Sequence, residues 1–183
     1  MKSKDGIFLA TYQFPRKIAD KIEKAATEGP WYWLPDSAYN IDEGHPLHLE
    51  RNPYYSCTIF KRGKKAIDVF KKYDLGFFSK YIGLHTNEII RAHVTKFDPN
   101  PTKLNQHHNV HVDQTFPHIV ALYYVNDADG DTYFFDEKDK KTVIHREPPK
   151  KGRCVVFDGL HTYHASSYPS VTRMSLNINY EYL

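Results

Sequence analysis

Short runs in which apolar and polar residues alternate fill the second half of the chain, from residue 88 onward. A period of two places successive side chains on opposite faces of a strand, so one face of each run is apolar. Turn-forming residues such as those at 98–101 separate the runs. The pattern predicts strands at 88–97, 107–113, 118–125, 131–136, 141–146, 153–158, 162–166 and 173–182.

Eight short strands separated by turns are typical of a jelly roll. In this fold two sheets curl into an open-mouthed barrel, an architecture that cupins share. Side chains from strands that are distant in sequence meet in the mouth of such a barrel. The predicted fold class is therefore mainly β with flanking helices, a double-stranded β-helix (jelly roll, cupin-like).

The first half of the chain predicts two helices. Residues 14–28 place apolar side chains at three- and four-residue steps, with Pro15 in the first turn and Gly29 after the last. Residues 64–73 repeat the amphipathic pattern. We expect both helices to lie on the outside of the sheet and to brace it.

The segment from Trp31 to Arg62 is rich in aromatic residues and proline, and it predicts a long loop or short strands at a rim. At 183 residues the chain is long enough for one domain and short for two. We therefore expect a single domain over 1–183, with helical and loop support in 1–87 and a jelly-roll catalytic core in 88–183.

Composition gives no support for a nucleic-acid or membrane partner. The chain has 25 Lys and Arg against 22 Asp and Glu, and a net charge of +3 is too small to predict nucleic-acid binding. The apolar run near the N-terminus is too short for a signal peptide, and no stretch is long enough to span a bilayer. We expect a cytoplasmic protein without a membrane partner.

Candidate chemistry begins with the triplet His111-Val112-Asp113. In an extended backbone residues i and i+2 point to the same face, so this imidazole and this carboxylate would converge on one point. Two ligands on one strand make half of a metal site. With 11 His in the chain such a triplet arises easily by chance, and it gains meaning only if a third ligand occurs later in the chain.

A third ligand is available after the predicted strand at 153–158, where His161 and His164 both occur. Spacing alone allows either of them, because a turn could present the first and a short returning strand the second. Two histidines and one carboxylate with the remaining positions open form the facial triad of non-haem Fe(II) oxygenases.

Residues 88–183 resemble the catalytic core of the Fe(II)- and 2-oxoglutarate-dependent dioxygenases, and within them the prolyl 4-hydroxylase-like group. Four segments in the family's order carry the resemblance. They are His111-Val112-Asp113, the strand at 119–126, the glycine-led strand at 129–134, and the segment at 157–173.

The resemblance implies the metal ligands and the co-substrate cation. His111 and Asp113 correspond to the first two iron ligands, and His164 to the third, since it precedes the basic residue Arg173 by nine positions. Arg173 corresponds to the cation that holds the C5 carboxylate of 2-oxoglutarate, which a guanidinium grips through two hydrogen bonds. Collagen-type prolyl hydroxylases carry Lys there, so this Arg points to the oxygen-sensing and the bacterial or viral branches.

Two hydroxyl groups complete the implied co-substrate site. Tyr124 and Thr132 correspond to side chains that hydrogen-bond the same carboxylate in related enzymes. The neighbouring His107 and His108 have no ligand role in the family motif, and we expect them to be polar strand or loop residues.

The family's reaction is hydroxylation of a substrate C–H bond with O2 and 2-oxoglutarate, giving succinate and CO2. The implied cofactors are Fe(II), the co-substrate 2-oxoglutarate and, as an accessory, ascorbate. The implied substrate is a peptidyl proline of a peptide or protein. Free amino acids and other small metabolites stay open, because substrate loops are freely exchanged on such folds.

Three alternatives remain. A nucleic-acid demethylase of the same superfamily needs a second arginine in the last strand, and residues 174–179 contain none. A non-catalytic, metal-binding cupin-like protein would not consume 2-oxoglutarate. A zinc hydrolase suits the same His and Asp ligands but has no evident use for a deeply placed Arg173.

Overall fold

Two antiparallel sheets and two helices make up the described part of the computed structural model, which covers residues 2–4, 7–34, 53–62, 72–85, 88–104 and 106–181, with side chains from residue 10 onward. The helices are α1 (Arg16–Thr27) and α2 (Leu75–Tyr81), and a 3-10 turn spans Pro101–Lys103. No helix within these ranges is long and apolar enough to cross a membrane. The strands are β1 (Lys2–Lys4), β2 (Ile7–Gln13), β3 (Tyr32–Leu34), β4 (Tyr54–Lys61), β5 (Ile89–Phe97), β6 (His118–Tyr124), β7 (Thr132–Phe135), β8 (Val143–Glu147), β9 (Arg153–Asp158), β10 (His164–Ser166) and β11 (Arg173–Glu181).

The larger sheet has the strand order β1-β2-β9-β6-β11-β5-β4-β3, and the smaller has β10-β7-β8. Alternation along β6 shows how the sheets pack. Its residues Val120, Leu122 and Tyr124 join a core that includes Phe134 of the smaller sheet, whereas the residues between them face the helices. The predicted mainly β jelly roll with flanking helices is confirmed.

Seven of the eight strands predicted after residue 88 are present, as β5 to β11. The exception is 107–113, where only two isolated bridges form, from His107 to Ser167 and from His111 to His164. The prediction of a continuous strand there was wrong. Two histidine rings in this segment bond to nearby backbone carbonyls instead. Nδ1 of His107 lies 2.7 Å from the His108 oxygen, and Nδ1 of His111 lies 2.8 Å from the Asn109 oxygen. Such local bonds compete with a regular ladder.

The first half of the chain contributes more strand than the sequence indicated. Strand β2, which was not predicted, pairs with β9, and β4 pairs with β5 in the segment expected to hold a loop or short strands. The predicted helix at 14–28 is confirmed as α1. Most of the predicted helix at 64–73, namely residues 64–71, lies outside the described residues. The helix α2 was not predicted. The single-domain assignment stays a prediction.

The helices cover the outer face of the larger sheet with an aromatic core. The ring of Phe14 stacks on Phe78 of α2 with centroids 4.5 Å apart and meets Tyr123 of β6 edge-on at 5.2 Å. Ile22 of α1 is fully buried in the same cluster. Because this layer supports the sheet from outside, the inner face of β5, β6 and β11 is left to line a cavity.

Candidate active site

The structure brings together the three side chains predicted as metal ligands. The Nε2 atoms of His111 and His164 lie 3.8 and 3.7 Å from Oδ1 of Asp113. One ligand atom from each residue lies within 4.8 Å of the other two, which is close enough for all three to contact one ion. His161 lies apart from this group, since its exposed ring pairs with Asp158 at 3.2 Å.

Backbone pairing places the two histidines side by side. The N–H of His111 donates to the carbonyl of His164 at 3.0 Å, and the N–H of His164 donates to the carbonyl of His111 at 2.9 Å. Such an antiparallel bridge directs both side chains to one face, and their ring centroids are 4.7 Å apart. A single bridge therefore achieves the alignment that the sequence had assigned to a continuous strand.

Backbone carbonyls select the tautomer of both rings. Nδ1 of His111 lies 2.8 Å from the Asn109 oxygen, and Nδ1 of His164 lies 3.0 Å from the Thr162 oxygen. A carbonyl only accepts, so each Nδ1 carries the proton and each Nε2 offers its lone pair towards Asp113. Burial lowers the pKa of His164 to about 4, which keeps that ring neutral.

Two amides hold the carboxylate of Asp113. Asn177 and Asn179 of β11 donate through their Nδ2 atoms to Oδ2 of Asp113, at 2.8 and 2.9 Å. Burial by itself would raise the pKa of Asp113, but the nearby His164 and His111, followed by Arg91, lower it well below its usual value. The carboxylate is thus ionised, with Oδ1 facing the two Nε2 atoms.

The three side chains predicted to bind the co-substrate also meet. Nη2 of Arg173 donates to Oγ1 of Thr132 at 2.9 Å, and the hydroxyl of Tyr124 donates to the same oxygen at 2.8 Å. Since Thr132 accepts both bonds, its own O–H remains to be donated. Arg173 is only 1% exposed, and its Nε has no hydrogen-bond partner. A Cβ at Gly130 would lie 2.9 Å from the backbone oxygen of Ser167 and 3.2 Å from Cδ of Arg173, and this crowding explains a glycine there.

His108 is a candidate that sequence reasoning missed. Its buried ring lies between Phe97 and Tyr168, with centroids 4.4 and 4.2 Å away, and neither ring nitrogen has a hydrogen-bond partner. Burial, and then the charge of Arg173, lower the pKa of His108 to about 3, so the ring is neutral. Only its position three residues before His111 could have drawn attention to it.

Asn177 and Asn179 were missed as well, although a signal was present. Along β11 the residues at 173, 175, 177 and 179 are polar, and they alternate with Met174, Leu176 and Ile178. A strand that buries one apolar face and turns a row of amides inward indicates a polar site on that face.

One cavity of about 290 Å³ reaches from the metal-ligand group to Thr132. Its lining includes the triad, Thr132, His108 and the inner face of β5. A volume of this size suits a small co-substrate next to a reacting group.

Solved structures with a similar fold include oxygenases. An oxidoreductase of the 2OG-Fe(II) oxygenase family from Burkholderia pseudomallei matches with a TM-score of 0.62 and 14% identity, over 93% of this chain and 84% of that one. A prolyl hydroxylase from Trichoplax adhaerens, in complex with a hypoxia inducible factor oxygen degradation domain peptide fragment, matches with a TM-score of 0.62 and 12% identity, over 97% and 84%. A prolyl-4-hydroxylase from Pseudomonas putida matches with a TM-score of 0.56 and 15% identity, over 95% and 92%.

The chain has the fold of the 2OG-Fe(II) oxygenases, including prolyl hydroxylases. The resemblance predicted from the sequence is confirmed at that level. No protein-family model matches the chain, and no curated protein matches it in sequence. The roles of individual residues therefore rest on the geometry described above.

Proposed function

We propose that this protein is an Fe(II)- and 2-oxoglutarate-dependent dioxygenase that hydroxylates a C–H bond of its substrate. The observation that carries the proposal is one cavity lined by a His-Asp-His group and by Thr132, to which a buried arginine with a further unpartnered donor is hydrogen-bonded. A zinc hydrolase would use the first feature but has no role for the second.

The residues present fit Fe(II). Two neutral imidazoles and one carboxylate form the 2-His-1-carboxylate set of non-haem Fe(II) oxygenases, in which the other coordination positions are open to ligands. His111, Asp113 and His164 would hold the ion. Fe(II) and 2-oxoglutarate, when bound, supply the activation of O2 that converts 2-oxoglutarate to succinate and CO2 and leaves an oxygen atom for the substrate.

The protein's own groups bind, orient and exclude water. Arg173 and the hydroxyl of Thr132 would hold the distal carboxylate of 2-oxoglutarate through charge-assisted and neutral hydrogen bonds. Tyr124 fixes Thr132 from the far side, because its hydroxyl donates to Oγ1. Leu122 and Phe97 line the same cavity and reduce its water content, which strengthens each polar contact.

The substrate in this proposal is a peptidyl proline. Two of the three structures compared are prolyl hydroxylases, and one of these holds a peptide fragment. Because substrate recognition varies on a shared fold, this is the substrate class to test first. The roles of ascorbate and a cytoplasmic location stay predictions.

A turnover assay tests the proposal. The protein with Fe(II), O2 and 2-oxoglutarate should form succinate, at first uncoupled from substrate and then faster with proline-containing peptides. His164→Ala is the inactive control, and His161→Ala should retain turnover. Binding of metal without any succinate would favour the non-catalytic cupin-like alternative. If methylated nucleic acid stimulated succinate formation and none of the peptides did, the demethylase would be favoured.

A further inference from the structure

A second arginine lies on the same inner sheet face as Arg173, at the other end of the strand pair. In the β5–β11 register Arg173 is opposite Phe97, and Arg91 is opposite Asn179. The metal-binding carboxylate Asp113 is hydrogen-bonded to this strand at Asn179 and its neighbour, close to the Arg91 end. Arg91 lines the cavity and is half-buried, whereas Arg173 is fully buried.

Arg91 has no carboxylate partner among the described residues. Its single hydrogen bond runs from Nε to Oδ1 of Asn179 at 3.1 Å, and this uses one of five N–H groups. Three other arginines of the fold, Arg16, Arg62 and Arg153, are ion-paired, and Arg153 contacts Glu147 at 2.6 Å. Four donors and a full charge are therefore left at the side of the cavity.

The neighbouring strand adds a second cation at this place. Lys61 of β4 is the direct cross-strand partner of Arg91, so the two side chains share a face. Lys61 is exposed, and it too forms no ion pair within the described residues. Like charges directly opposite each other destabilise a sheet. Asp113 is the only carboxylate among the described residues that line the cavity, and its oxygens face the histidines and the two amides.

We propose that Arg91, with Lys61 beside it, forms an anion subsite that binds a carboxylate of the substrate. The inference rests on the proposed function and adds a chemical class: the substrate carries a carboxylate near the carbon that is hydroxylated. Arg91 joins Asp113 through only two hydrogen bonds, by way of Asn179, so an anion held there lies close to the metal ligands. The distal carboxylate of 2-oxoglutarate belongs at Arg173, at the opposite end.

Two sources can supply this carboxylate, and paired probes distinguish them. One pair is N-acetyl-L-proline and its primary amide, which differ in a terminal carboxylate. The other is a blocked prolyl-glutamate dipeptide and its prolyl-glutamine analogue, which differ in a side-chain carboxylate. Each probe is titrated calorimetrically into the protein loaded with Fe(II) and 2-oxoglutarate in the absence of O2.

The expected result is that wild-type protein binds the carboxylate member of at least one pair about tenfold or more tightly than its neutral partner, as one charge-assisted contact implies. Arg91→Met should remove this preference. Arg16→Met is the matched control: the same charge is lost from an exposed side chain of α1, and the preference should stay.

Two outcomes overturn the inference. Either the wild-type protein shows no preference in either pair, or Arg91→Met keeps the preference. If Arg91→Met keeps the preference and also weakens Fe(II) binding, Arg91 is a positioning residue for Asn179 only. Both outcomes are measured by binding and do not depend on the succinate assay. Failure to form succinate removes the proposed function without removing a carboxylate preference measured by binding.

Discussion

The two ends of the cavity differ in the hydrogen bonding of the side chains that we propose as ligands of the metal and of the co-substrate. At the metal end, each ligand residue has its outer atom bonded to the protein: two Nδ1 atoms to carbonyls, and Oδ2 of Asp113 to two amides. At the other end, Nε of Arg173 and both ring nitrogens of His108 are buried without a partner.

This difference indicates different tasks. Ligand atoms held by outer hydrogen bonds are preorganised, so an ion can bind without rearrangement of the protein. A buried donor without a partner costs roughly 1–3 kcal/mol, and such a cost persists where a ligand later supplies the partner. This difference supports our proposal that the metal end positions an ion and that the arginine end receives a ligand with acceptor oxygens.

Loss of a ligand at the metal end should have the largest effect. We expect His164→Ala to abolish tight Fe(II) binding, because Nε2 would be one of three protein donors to the ion among the described residues. His161→Ala should keep it, since that ring pairs with Asp158 on the surface. Anaerobic titration with Fe(II) measures both variants. The reverse pattern would make His161 the third ligand.

A substitution at the arginine end should weaken binding of the co-substrate and leave metal binding unchanged. We expect Arg173→Ala to weaken 2-oxoglutarate binding by about 10- to 100-fold, since a hydrogen bond to a charged group is worth roughly 1.5–3 kcal/mol. Fe(II) affinity should hardly change, because Arg173 bonds Thr132 and not a metal ligand.

Calorimetric titration of 2-oxoglutarate into the metal-loaded protein tests this separation of the two ends. Arg153→Ala is the control, since it removes a guanidinium that is already paired with Glu147. Unchanged affinity for 2-oxoglutarate in Arg173→Ala would falsify the assignment of the arginine end to the co-substrate.

A smaller effect is expected from loosening the metal end without removing a ligand. Asn177→Ala deletes one of two amide bonds to Oδ2 of Asp113, and Asn179 keeps the other. We expect Fe(II) affinity to fall by about tenfold, the lower end of the range for such outer partners. Ser175→Ala is the matched control on the same face of β11, because its hydroxyl bonds Thr95 and no ligand. Equal affinities in the two variants would mean that one amide is sufficient.

Local patterns were enough to predict much of this architecture. Alternation with a period of two located β5 to β11. The triplet at 111–113 and His164 were identified from motif spacing and line the cavity, and Arg173 was identified in the same way and bonds Thr132 of its lining. These signals are local because strand period and motif spacing are properties of neighbouring residues.

Long-range pairing was not predictable from the same patterns. Strand β2 is recognisable only beside β9, because its last residue, Gln13, pairs with Arg153, about 140 residues later in the chain. The segment 107–113 alternates like a strand, yet its ring nitrogens bind local carbonyls and only isolated bridges form. His108 shows the same limit, because its lack of partners depends on the rings that surround it.

The smallest expected effect concerns the two ring nitrogens of His108, which have no hydrogen-bond partner in the folded protein. His108→Phe keeps a flat ring between Phe97 and Tyr168 and removes two buried nitrogens that have no partner. Because no hydrogen bond is lost and the ring borders a cavity, we expect the free energy of unfolding to rise by about 1 kcal/mol, as measured by urea denaturation of the metal-free protein.

His118→Phe is the contrasting control, because that buried ring uses Nδ1 to bond the Phe116 carbonyl at 2.8 Å and lies against Gly159 without room for a larger ring. It should destabilise the protein. If His108→Phe also lost stability, its nitrogens would have partners in the free protein, and the two ends of the cavity would not differ in the way described. If it gained stability, the imidazole of His108 would lower the free energy of unfolding of the wild-type protein. Such a cost is expected of a side chain that binds a ligand.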